Sequence, residues 1–122
     1  MAGKEKLVVI ATHGPDEPEL ATLPFVMAAA AATLDVEVVM GFQADGVRLV
    51  RQGVAETVSS PEFTPLFELL KTLQESGAKL LVGAPCIKSR NIAPEELVGG
   101  TEVVMAGRFV SEIVSATSSL VY

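Results

Sequence analysis

A chain of 122 residues suits a single domain with a core of its own. With 49% hydrophobic and 20% charged residues and a mean hydropathy of +0.44, it excludes disorder and implies a filled interior or extra apolar surface shared between subunits. The formal charge of −6 and the pI near 4.7 exclude the clustered Lys and Arg that phosphate backbones need, so no nucleic acid is an expected partner.

The opening Met1-Ala2-Gly3-Lys4-Glu5-Lys6 precedes an apolar run too short for a secretory signal, and one cysteine forms no internal disulfide; the cytoplasm is the expected compartment. That run, Leu7-Val8-Val9-Ile10-Ala11, predicts a strand buried on both faces and ended by Thr12-His13-Gly14-Pro15. Asp16 and Glu19 have capping-box spacing, but Pro24 would interrupt a helix that starts there. Thr22 as the cap, with Pro24 in the first turn, is the alternative, and either way Phe25 to Thr33 reads as helix. The longest apolar stretch, Leu23 to Phe42, contains Asp35, Glu37 and many alanines, which argues against a membrane span. Val36-Glu37-Val38-Val39-Met40 predicts a second strand, and Asp45-Gly46 a turn before a short helix at Val47 to Arg51. Leu66, Leu69, Leu70 and Leu73 recur at helical spacing, with Thr64 as cap, Pro65 at the first helical position and Gly77 at the exit. Leu80-Leu81-Val82 and Glu102-Val103-Val104-Met105 predict two further strands. A helix from about Gly107 to Ala116 should bury Phe109, Ile113 and Val110, and Ser119-Leu120-Val121-Tyr122 reads as a fifth strand at an edge.

Apolar strands alternating with helices predict an α/β fold: one domain over residues 1–122, a three-layer sandwich around a mainly parallel sheet of about five strands, in flavodoxin-like or related doubly wound order. In such sheets ligands gather outside the carboxyl ends of strands, which draws attention to His13 after the first strand and Cys86 after the third. A flavodoxin-like order would set those two strands side by side and the two side chains within reach. Cys86 follows Gly83-Ala84-Pro85, where a strand gives way to a short helix. Free amide groups, Lys88 and Arg90 would there favour thiolate over thiol and stabilise a bound anion. Against this, cysteine is among the most buried residue types and serves equally as a small hydrophobe. His13 is a candidate base for the thiol or a loop residue bonded to nearby backbone. Asp16, Glu17 and Glu19 suit the first turn of a helix. One His and one Cys without ligand spacing give no metal signature, and no phosphate-loop pattern occurs, so no cofactor is expected.

Thr12-His13-Gly14-Pro15-Asp16, Leu23-Pro24-Phe25-Val26-Met27-Ala28, Val36 to Phe42 and Asp45-Gly46-Val47 together resemble the DsrE/DsrF-like family in order and spacing. So do Cys86 before Ser89-Arg90-Asn91-Ile92, Pro94-Glu95-Glu96-Leu97, and Gly99 to Met105. The resemblance implies a parallel sheet between helix layers, homo-oligomers such as trimers or hexamers, and a loop cysteine that carries a persulfide. In the family's sulfur-relay members that cysteine passes sulfane sulfur between donor and acceptor proteins, in sulfur oxidation or transfer-RNA thiolation; Cys86 stands at its position. Many relatives have Arg-Gly where this chain has Arg90-Asn91, and Asn tolerates the left-handed conformation that Gly would adopt. Three functions follow as expectations: a sulfur-relay protein or sulfurtransferase using Cys86, a non-enzymatic oligomeric module that binds a ligand or partner with Cys86 merely packed, and a thiol redox protein.

Overall fold

The structure, a computed structural model, describes residues 4–122. The apolar runs form β1 (Lys6–Ala11), β2 (Glu37–Phe42), β3 (Lys79–Gly83), β4 (Thr101–Val104) and β5 (Ser118–Val121), all parallel. Strand side chains alternate between two cores. On one face Val9, Val38, Met40, Phe42, Leu80 and Val82 pack with Phe25, Leu66, Leu70, Leu73 and Ile87, which belong to α1 (Pro18–Thr33), α2 (Leu66–Ser76) and α3 (Ala84–Ser89). On the other, Val8, Ile10, Val39, Leu81 and Val104 meet Phe109 of α4 (Ala106–Val114), the one helix over that face among the described residues. Burial on both faces is why these strands read as unbroken apolar runs.

The expected three-layer α/β sandwich is thus present, in the order β4-β3-β2-β1-β5. This is a related doubly wound order and not the flavodoxin-like one, because β2 lies between β1 and β3. The chain steps from β1 to β4 in one direction, after which α4 carries it back across the opposite face to β5 beside β1. The connections leaving the neighbours β3 and β4 therefore part toward opposite faces and open a crevice at their carboxyl ends.

Local differences from the sequence expectations have physical causes. α1 begins at Pro18 with Glu17 as its N-cap, one residue after the start that an Asp16 cap implies and well before the Thr22 alternative, because proline's fixed φ suits a first helical position. Pro24 lies buried inside the helix, withholding one helical hydrogen bond, and Thr22 is no cap: its hydroxyl donates to the Pro18 carbonyl at 2.7 Å. Pro65, not Thr64, occupies the N-cap of α2, and Val110 faces outward on α4 at 58% exposure while Phe109 is buried. The short helix after Asp45-Gly46 is a 3₁₀ helix over Ala44–Val50. Among the described residues no helix is long and apolar enough to cross a membrane.

Candidate functional site

At the carboxyl edge of the sheet, the 3₁₀ helix that follows β2 packs on the end of β1. Gly46 permits this approach: a Cβ there would lie 2.1 Å from the Ala11 carbonyl oxygen. Two residues earlier, Ala44 adopts φ +50°, a left-handed conformation that costs an L-residue energy and persists only where its surroundings hold it. That conformation aims the Ala44 amide at Cys86, with N to Sγ at 3.3 Å.

Cys86 is the third residue of α3, after the N-cap Gly83 and Ala84-Pro85. Its half-buried thiol borders a crevice of about 350 Å³ walled by Gly83, Pro85, Val104 and Phe109, with Gln43 and Ala44 at its polar side. This is where the connections after β3 and β4 diverge, so fold and crevice coincide. The walls are chiefly apolar and the amide is the one polar group aimed at sulfur among the described residues.

Arg90 fixes the turn that carries Cys86. Its Nε donates to Asp45 Oδ1 at 2.9 Å, and its Nη1 donates to the Cys86 carbonyl oxygen and to Ser89 Oγ, each at 3.2 Å. Hydrogen bonding from Arg90, with help from nearby Arg48, outweighs partial burial and holds the Asp45 carboxyl below the usual carboxylate range. The guanidinium thus binds the backbone of Cys86 and a carboxylate, not the sulfur. Lys88 is exposed near the end of α3 and forms no ion pair among the described residues.

His13 stands elsewhere on the same edge. Its Nδ1 lies 3.5 Å from Thr12 Oγ1 and its Nε2 lies 3.7 Å from Glu17 Oε2; neither nitrogen bonds to Cys86. With β2 between β1 and β3, the adjacency that would have joined the two side chains does not arise. Asp16, Glu17 and Glu19 are exposed around the start of α1. No group of three His, Cys, Asp or Glu side chains able to hold a metal ion occurs among the described residues.

Sequence reasoning therefore placed Cys86 and Arg90 together and missed Ala44 and Asp45. Asp45-Gly46 was legible as a turn, and that was the available signal. Nothing in an alanine announces a left-handed residue whose amide will meet a thiol 42 positions later.

Comparison with known proteins agrees with this architecture. The E. coli YchN protein superposes with a TM-score of 0.82 at 18% identity, covering 97% of this chain and 99% of that one. MTH1491 of Methanobacterium thermoautotrophicum, a protein of unknown function, gives 0.71 at 13% identity, covering 98% of this chain and 100% of that one. At such identities the likeness is one of fold. The uncharacterized protein MJ0760 of Methanocaldococcus jannaschii is 27% identical over 107 residues, 88% of this chain, which spans only 39% of that relative's length. The description "DsrE/DsrF-like family" matches residues 5–118, nearly the whole chain, and to that family the chain belongs.

Proposed function

We propose that Cys86 carries sulfane sulfur in a relay. The observation that supports this best is the hydrogen bond from the Ala44 amide to Sγ at the mouth of the crevice between the β3 and β4 connections, in a family associated with sulfur relay. The Cys86 thiolate attacks the outer sulfur of a donor persulfide, forming one S–S bond as the donor's S–S bond breaks and the donor departs as a thiolate. An acceptor thiolate then attacks the outer sulfur of the Cys86 persulfide, and the Cys86 thiolate is the leaving group. Each step is an exchange, with no net oxidation and no cofactor.

Within this scheme the Ala44 N–H and the apolar walls orient the sulfur and keep water from the S–S bond. Arg90 is a positioning residue, acting through the Cys86 carbonyl and Asp45, while exposed Lys88 supplies positive charge toward an anionic donor or acceptor protein. His13, paired with Glu17, takes no part. Incubation with a low-molecular-weight persulfide, followed by intact mass measurement, should show one added sulfur on the wild type and none on Cys86→Ser. Equal loading of the two proteins would sink the reading. Slow alkylation of native Cys86 relative to a free model thiol would favour the binding module instead.

The chain is further proposed to act as a homo-oligomer, in keeping with a family that is often oligomeric. Support comes from Met105, Val110 and Val114, large apolar side chains left 58 to 76% exposed on and beside α4.

A further inference from the structure

Three of the chain's four arginines, in a protein of net charge −6, line one cavity. Arg48, Arg51 and Arg90, with Asp45, Val54 and Ile92, enclose about 430 Å³ beside the Cys86 turn but apart from the crevice that the sulfur borders. No lysine contributes. Charge of one sign gathered against the trend of the whole molecule, and delivered by the planar donor suited to oxyanions, requires a physical reason.

Backbone bonds and the contacts of Arg90 frame the cavity. Arg51 follows the 3₁₀ helix and sits in an antiparallel bridge with Leu97, flanked by Val98 N–H donating to the Val50 carbonyl and Gln52 N–H donating to the Glu96 carbonyl, each at 2.8 Å. Arg90 is fixed by its bonds to Asp45 and the Cys86 carbonyl. Two carboxylates attend the arginines without saturating them. Asp45 is bonded by Arg90 at 2.9 Å, while Arg48 lies 3.6 Å from its other oxygen; Glu96 lies 3.4 Å from Arg51 Nε. Each guanidinium offers five N–H donors, and these contacts occupy a minority of the fifteen or so available. Even with Asp45, the one carboxylate of the lining, ionised at neutral pH, the three guanidiniums outnumber it and the lining keeps an excess of positive charge. An oxyanion entering there meets unspent donors on more than one arginine; a cation or an apolar ligand meets a repulsive or undersatisfied wall.

We infer that the Arg48–Arg51–Arg90 cavity is a binding site for a small oxyanion of the sulfate or phosphate type, free or as the terminal group of a small molecule. It needs no reaction at Cys86, and binding should persist in Cys86→Ser, so its failure and that of the sulfur-relay reading are separable. The test is a titration of ¹⁵N-labelled protein with sodium sulfate and, separately, sodium phosphate, at ionic strength held constant with sodium chloride, following the arginine Nε–H resonances. Arg48, Arg51 and Arg90 should shift and saturate, while Arg108, engaged with Glu102 and Glu112, serves as the internal reference. The double substitution Arg48→Gln and Arg51→Gln should weaken binding at least about tenfold, since charge-assisted donors are lost from both. Saturation by phosphate but not sulfate, or the reverse, identifies which oxyanion the cavity prefers and supports the site. Linear shifts without saturation for both anions, or shifts at Arg108 equal to those of the cavity arginines, would overturn it.

Discussion

Gly46 shows how much one missing methyl carries. The 3₁₀ helix of Ala44–Val50 rests directly on the end of β1, and the nearest atoms to a Cβ at Gly46 are backbone, which cannot swing aside. Gly46→Ala should therefore cost about 1–3 kcal/mol, as overpacked sites do, and urea denaturation would measure it. A cost near zero would mean that the helix can lift off β1. The sequence marks this position as part of a turn but cannot show that glycine is there for close approach, because the opposing atoms lie 35 residues earlier, at Ala11. Asn91 was more legible. It adopts φ +56°, the left-handed conformation its side chain tolerates. Cys86 was legible as the reactive candidate through its place at a strand-to-helix junction; its amide partner was not, because backbone donors leave no mark on composition.

At the scale of elements, α1, α2 and α3 close in one manner. The Val36 amide donates to the Ala31 carbonyl, Ala78 to Leu73, and Ile92 to Ile87, around Asp35, Gly77 and Asn91 at φ +61°, +80° and +56°. These are Schellman closures, which satisfy terminal carbonyls and turn the chain toward the next element. Gly77 was readable in advance as such an exit and Asp35 was not, since aspartate rarely signals one. The start of α1 escaped for a similar reason: Pro24 inside a helix is a strong negative signal, overridden here by burial of its ring. α4 is anchored differently, through charge. Glu112 is almost buried, with Lys6 of β1 at 2.6 Å and Arg108 at 2.8 Å, and the Lys6 hydrogen bond first, then that of Arg108, holds its carboxyl below the usual range against the effect of burial. A depressed folded value means that the stabilisation is complete above the unfolded glutamate pKa of about 4.3 and disappears as pH falls through the lower folded value. Glu112→Gln should cost about 3 kcal/mol at neutral pH, because Lys6 loses its carboxylate in a confined position. The two proteins should converge in stability in acid, as pH falls through the depressed folded value and the wild-type carboxyl is protonated too. Urea midpoints at both pH values check the sign; a gap that widens in acid would refute it.

At the scale of the molecule, among the described residues, three helices cover one face of the sheet and α4 alone covers the other. The number and character of strands were legible because burial on both faces imposes continuous apolar runs. Their neighbours were not, since pattern reports what a strand buries and not which strand lies beside it. The thin side also leaves large apolar groups exposed, Val114 at 76% and Val110 at 58%, one helical turn apart. Val114→Glu should leave the fold intact by circular dichroism, as substitutions at exposed sites usually do, while lowering the mass seen by light scattering to that of one chain. An unchanged particle mass would place any self-association elsewhere.

The seam between β1 and β5 bears on how the protein is made. Leu7 pairs with Ser118 and Ile10 with Val121, so one border of β1 finds its partner only when the far end of the same domain has been extruded. Throughout elongation that border exposes unmated peptide groups beside Val8, Val9 and Ile10, the kind of edge that recruits stray strands. Slow translation of the second half would thus prolong the nascent chain's exposure to aggregation, and a chaperone would have most to do before Ser118–Val121 arrives.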